Sequence, residues 1–371
     1  MIILLPSYKR TAILQLVIQS ILQCDTTGID ERICVLIVNN YFPNKGIIDD
    51  IVAKFDFKQH FYCEVIHREE SLPAVESWFN ALFDKAYPNE IVMLLGDDDL
   101  MLPYALKNRY RAMVDNKADM LISDFYQRVY FSDDGEKYAL LTGEAINIRD
   151  DPQVTKWEYF ASNHQRASFI SNHCYRNSGV LKAAFDKAMA LSHTQDWVPR
   201  AFATGSLPLY MSFTVRKCGG VVQALSEKSV LRGALVSETM SSEYSDGCST
   251  AFYSLLLYQM FHSQDVHDDM KIVESYKNLY LNSIRNSMFT LLTSSPVSFS
   301  TTCKTINRAG LRIIDVLRPL LFFKGMILFM LRIIPGIRGF RVKRELRMNS
   351  ASSTSDLLTM LRSNYSRGSD N

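Results

Sequence analysis

The chain has no CxxC pair, no nucleotide loop rich in glycine and no uninterrupted membrane-length apolar run. Its seven cysteines (24, 34, 63, 174, 218, 248, 303) are odd in number and scattered. That argues against a disulfide framework and a cysteine-ligated zinc site, and fits a reducing cytosol. No GxGxxG follows the first apolar run and no GxxxxGK[ST] occurs, which removes the usual dinucleotide and P-loop sites. A general excess of basic charge is missing as well. The 41 Lys+Arg against 39 Asp+Glu leave a net charge of +2. Ten basic residues lie between Arg308 and Arg347 against only Asp315 and Glu345, so that segment carries +8 and the rest −6. The main body therefore has no electrostatic basis for binding nucleic acid. Met1 leads directly into Ile2-Ile-Leu-Leu5, too short for a signal-peptide core and with no basic residues ahead of it, so the chain is expected to open on a core strand.

What remains is a globular composition, 47% apolar and 22% charged. Apolar runs read as strands at residues 2–5, 33–38, 63–66, 91–95 and 120–123. Helical stripes separate them: Ile13 to Leu22 with Thr11 as N-cap, Ile47 to Phe55, Val75 to Ala86 behind Pro73, and Tyr104 to Val114 behind Pro103. Repeated strand–helix–strand with continuous apolar strands predicts an α/β fold, a mostly parallel sheet with helices on both faces. Ligands of such sheets bind outside the carboxyl ends of the strands. That rule places Pro6-Ser7-Tyr8, Asn39-Asn40, His67-Arg68 and Asp97-Asp98-Asp99 along one rim.

The triplet is the most concentrated signal. Ile91 to Leu95 runs through Gly96 into three adjacent carboxylates, whose mutual repulsion beside an apolar strand end costs free energy unless a cation shares the site. All-oxygen ligands suit Mg²⁺ or Mn²⁺. Taken alone, the same residues equally describe an acidic turn ahead of the helix after Pro103.

Beyond residue 125 the pattern loosens. Gly179 to Ala190 reads as a helix, Asp196 opens another, and 221–225 and 228–231 read as two late strands. Asn172, His173 and Arg176 read as a surface loop, with acceptor contacts the alternative. Residues 250–292 are helical in pattern. From Arg308 to Arg347, short apolar segments are broken by Lys324, Arg332, Pro319 and Pro335. This fits an element lying in the interface of an anionic membrane, or a helical hairpin or oligomer contact. The Ser- and Asn-rich tail from Asn349 is expected to be flexible.

Together these residues resemble a family 2 inverting glycosyltransferase of the GT-A fold, of the bacterial surface-polysaccharide type. Leu5-Pro6-Ser7-Tyr8-Lys9-Arg10 is similar to that family's first strand and P-[ST]-Y-x-R turn. Val38-Asn39-Asn40 stands where Asp-Asn or Asp-Asp is usual, and Gly96-Asp-Asp-Asp99 resembles its DXD metal motif. Gln195-Asp196-Trp197 resembles the Glu-Asp pair that supplies the base, and Leu231-Arg232-Gly233 an Arg-containing closing loop. The resemblance covers roughly residues 1–240, followed by a helical C-terminal region (241–348, with the membrane-associating segment at 308–347) and the tail (349–371). It implies a nucleoside diphosphate sugar donor, bound by Pro6, Ser7, Tyr8, Arg10, Asn39, Arg68 and Asp97. It implies Mn²⁺ or Mg²⁺ on Asp98 with Asp99 in support, Asp196 as base, and Trp197 and Arg232 near the acceptor. It further implies a lipid-linked or polysaccharide acceptor, and a cytoplasmic enzyme peripheral on the inner membrane. Gly96 and Asn39 depart from the pattern. They leave the register of the acidic motif and the identity of the nucleotide open. A non-catalytic nucleotide-sugar-binding scaffold on the membrane is the competing reading, and a nucleotidyltransferase a further one.

Overall fold

The computed structural model describes residues 1–57, 60–140, 154–155, 169–193, 207–235, 274, 307, 312 and 352–368. Four strands, β1 (Ile2–Ser7), β2 (Ile33–Asn39), β3 (Phe61–His67) and β4 (Ile91–Leu94), pair in parallel in the order β3-β2-β1-β4. Helices α1 (Leu14–Leu22), α2 (Lys45–Ala53) and α3 (Ala74–Lys85) connect them. Successive side chains of a strand point to opposite faces, so each strand feeds two cores. Ile3, Leu5, Val35 and Ile37 pack with α1 residues Leu14, Val17, Ile18 and Ile21. Ile2, Leu4, Leu36 and Val38 pack on the other face with Val75, Phe79 and Leu82 of α3. The result is the three-layer α/β arrangement expected from the alternating pattern.

The second half is woven differently. Strand β5 (Leu100–Met101) follows the acidic turn, then α4 (Ala105–Asp115), the long β6 (Met120–Phe131), and β7 (Lys137–Leu140). Short β8 (Val154–Thr155) precedes β9 (His173–Arg176), α5 (Gly179–His193), α6 (Leu207–Lys217) and β10 (Val222–Leu235). Strand β9 enters the middle of the sheet, antiparallel to both β4 and β6. Strand β10 runs parallel to β6 and antiparallel to β5 and β8.

Three local expectations are corrected. Thr11 does not cap α1, which begins behind Ile13 without a side-chain cap. The two late strands are one, because register shifts around Ser226-Glu227 carry β10 past its polar interruption. Residues 172–176 are no surface loop. Asn172 and His173 are buried, and the imidazole Nδ1 lies 2.9 Å from the Tyr175 hydroxyl inside the sheet. Within the tail, β11 (Ser352–Ser353) pairs with β7 and leads into α7 (Thr354–Gly368). Leu357, Leu358 and Leu361 of α7 are buried in the main core, an i, i+1, i+4 stripe that the polar composition around it concealed.

Candidate functional site

The rim forms where the parallel strands end. Ser7 stands opposite Asn39, and Asn39 opposite His67, in adjacent strands. The chain leaves β4 through Gly96 and crosses in front of β1, so that the Tyr8 backbone N–H donates to Asp97 Oδ2 at 3.2 Å. Arg10 reaches the same turn from the loop after β1. Its Nη1 donates to Asp98 Oδ2 at 2.6 Å and lies 3.5 Å from Asp97 Oδ1.

The three aspartates differ sharply in environment. The Asp98 side chain is 19% exposed and faces Arg10. Asp97 is nearly buried between Tyr8 and Arg10. Asp99 is 2% exposed and points inward, where Oδ1 accepts the Gly233 backbone N–H at 2.9 Å and Oδ2 accepts the Ser171 hydroxyl. Burial above all, and then the charge of Asp98, pushes the Asp99 carboxyl up to about 8. Its oxygens are thus engaged with protein, and the outward position belongs to Asp98, with Asp97 nearly buried beside it under Arg10.

Gly96 explains the departure from the usual acidic motif. A Cβ there would stand 2.8 Å from Asp99 Oδ2 and 3.1 Å from Asp98 Oδ1, while the Gly96 N–H donates to Ser171 Oγ at 2.8 Å. A side chain at 96 would have to push the Asp99 carboxylate from its inward position.

The other expected residues are distributed as follows. Tyr8 is 46% exposed and meets Tyr41 edge to face, with the Lys9 ammonium about equally close to both rings. Ser7 donates to the Arg10 carbonyl at 3.1 Å, and Pro6 is buried within β1. Asn39 is buried under the rim. Its Oδ1 accepts the Tyr41 N–H at 3.1 Å, its Nδ2 lies 3.0 Å from His67 Nδ1, and His67 Nε2 lies 2.9 Å from Asp49. Arg68 is tied to α3 through the Ser77 hydroxyl and carbonyl. Arg232 is not on a loop but inside β10, its guanidinium 5.0 Å from the Phe169 ring centroid. Asp196 and Trp197, and the segment 308–347 apart from Arg312, lie outside the described residues.

Three supports of the acidic turn were not expected from sequence. Ser171 bonds both Gly96 and Asp99. Gly233 presses so closely on the turn that a Cβ there would collide with the Asp98 carbonyl oxygen. Arg109, fully buried in α4, donates through Nη2 to the Ser123 hydroxyl at 2.7 Å and to the Ser171 carbonyl at 2.8 Å. Burial lowers its pKa, while the neighbouring Cys174 and Glu227 oppose that shift. Only the Gly233 position carried a sequence signal, through its place after Arg232.

Among the described residues, no three His, Cys, Asp or Glu side chains gather to hold an ion. The donor set nevertheless fits a hard cation. The carboxylates of Asp97 and Asp98 already attract the Arg10 guanidinium, and Mg²⁺-type ions are commonly held by one or two carboxylates together with substrate phosphates and water.

No protein-family model matches the chain, and no curated protein sequence is significantly similar to it. Solved structures share its arrangement in part. S. aureus TarS is 12% identical with a TM-score of 0.46, the match covering 93% of this chain but only 55% of TarS. S. aureus TarS 1–349 in complex with UDP-GlcNAc is 14% identical with a TM-score of 0.47, covering 94% of this chain and 91% of that one. The mannosyltransferase PcManGT from Pyrobaculum calidifontis, in complex with GDP-Man and Mn²⁺, is 9% identical with a TM-score of 0.46, covering 94% and 87%. Likeness at this level identifies no activity for the chain.

Proposed function

We propose that the protein is a glycosyltransferase that moves a sugar from a nucleoside diphosphate donor to a hydroxyl of a lipid-linked or surface-polysaccharide acceptor, with inversion. The observation that carries this reading is the convergence of Tyr8, Arg10, Asp97 and Asp98 at the carboxyl ends of β1 and β4. That is where an open α/β sheet binds its ligand, and its acidic turn suits the cation that commonly accompanies a diphosphate.

In this reading Tyr8 offers an exposed ring to the nucleoside, and Asp97 lies on the ribose side of the turn. Asp98 would hold Mn²⁺ or Mg²⁺. When bound, the ion stabilises negative charge on the departing diphosphate. Asp196 takes the proton from the acceptor hydroxyl as its oxygen attacks the anomeric carbon. The bond from that carbon to the diphosphate oxygen breaks on the opposite face, releasing the nucleoside diphosphate. The Asn39–His67–Asp49 chain, buried only at its Asn39 end, sets the shape of the rim beneath the base.

No helix among the described residues is long and apolar enough to cross a membrane. Residues 308–347 are proposed to rest on an anionic membrane surface, which would bring the rim to a lipid-borne acceptor at the cytoplasmic face.

A thermal-shift and hydrolysis screen of nucleotide sugars with Mn²⁺ tests the reading. Stabilisation by a subset of nucleoside diphosphate sugars, abolished in Asp98→Ala, is the expected result. Retained binding but no transfer in Asp196→Ala would support the base. Equal donor binding by wild type and Asp98→Ala overturns the cation assignment.

A further inference from the structure

The loop after β1 holds a charged side chain against the acidic turn in an unusual way. Arg10 Nη1 is 2.6 Å from Asp98 Oδ2 and 3.5 Å from Asp97 Oδ1, so one guanidinium serves both carboxylates. The residue before it, Lys9, has φ of 62°, a left-handed backbone that a non-glycine residue seldom adopts. The loop is closed by the bond from the Ser7 hydroxyl to the Arg10 carbonyl. The Arg10 side chain is 23% exposed, so it has an outward path. Conformations of this kind persist where surrounding contacts hold them, and they concentrate at switching sites.

We propose that Arg10 is the resident counter-ion of the acidic turn, and that Arg10 and a divalent cation exclude one another on Asp98. This rests on the reading of Asp98 as the cation ligand. A guanidinium and a divalent ion cannot both sit against Oδ2 without strong repulsion, and Arg10 is already in place. The cation therefore binds weakly to the free protein. A nucleoside diphosphate changes the balance twice over, because its phosphate oxygens supply further ligands to the cation and a new anionic partner to Arg10. Released from Asp98, Arg10 turns to the diphosphate. Cation and nucleotide then bind with positive coupling, and that coupling passes through Arg10. Such coupling is reciprocal, and its usual size is about five- to 150-fold in affinity. The arrangement would also keep the carboxylates neutralised between turnovers.

The test is Mn²⁺ titration of the full chain, followed by the electron paramagnetic resonance of free Mn²⁺. It uses wild type, Arg10→Met, Arg10→Gln, Arg10→Lys and Asp98→Asn, each alone and with UDP or GDP, after correction for Mn²⁺ bound by free nucleotide. Circular dichroism confirms folding, and the two neutral variants serve as checks on each other. Without nucleotide, Arg10→Met and Arg10→Gln should bind Mn²⁺ at least about fivefold more tightly than wild type. Their further tightening by nucleotide should shrink, while Arg10→Lys stays close to wild type. Equal or weaker Mn²⁺ binding by both neutral variants overturns the role of Arg10 and leaves the cation reading standing. No Mn²⁺ binding by any variant, or undiminished binding by Asp98→Asn, removes the cation reading and this inference with it.

Discussion

Asp98 and Asp99 are neighbours of identical chemistry, yet the fold gives them opposite environments. Asp98 faces the rim and the Arg10 guanidinium. Asp99 faces the core, where a serine hydroxyl and a backbone N–H hold it. Charge at the first position is available to a ligand, whereas charge at the second is costly and braces the turn. A run of carboxylates in a sequence therefore need not act as a set of equivalent ligands. One of them can be the anchor that aims the others.

The contrast can be broken from the Asp99 side first. Gly233→Ala drives a methyl into the Asp98 carbonyl and must displace β10 or the turn. A loss near the upper end of the ~1–3 kcal/mol typical of overpacking is expected in urea unfolding. An unchanged midpoint would show that the two segments are not locked. Ser171→Ala strips a partner from Asp99 and from the Gly96 N–H in a buried place. Destabilisation of about 1–3 kcal/mol should follow, measured the same way.

Asp99→Asn is a subtler probe. A carboxyl whose folded value is about 8, above its ordinary value near 3.8, keeps its proton better in the folded than in the unfolded chain. Its contribution to stability is then fully present below about pH 4 and is lost as pH rises towards 8. With chelator present, Asp99→Asn should flatten the decline in stability across that window. An identical pH profile in wild type and variant would contradict the inward, strained carboxylate. The smallest stability effect belongs to Asp98→Ala, within about 1 kcal/mol as for other part-exposed ion pairs, although Mn²⁺-dependent nucleotide binding should vanish. A large loss of stability without loss of binding would reverse the roles assigned to the two residues.

Much of the first half was legible because its signals are local. Strands β1 to β4 are continuous apolar runs, and the helices between them carry stripes of 3.6 period, so a parallel sheet and its carboxyl rim followed directly. The second half depends on distant partners. Residues 173–176 look polar and exposed until β4 and β6 close on either side and satisfy them. Ser226-Glu227 looks like a break until the Asn108 amide donates to Glu227 Oε2 at 2.9 Å. Arg109 reads as one more helix-surface charge, but Ser123 and the Ser171 carbonyl draw it inside.

By itself the sequence determined the layered α/β architecture, the rim and the presence of an acidic turn on it, because periodicity and strand-end polarity are properties of the chain alone. Only the tertiary structure decided which aspartate faces outward and how closely Asp99 crowds position 96. It also put Arg10, 88 positions away in sequence, against Asp98. These are questions of burial and close approach between segments far apart in the chain, and neither residue type nor spacing encodes them.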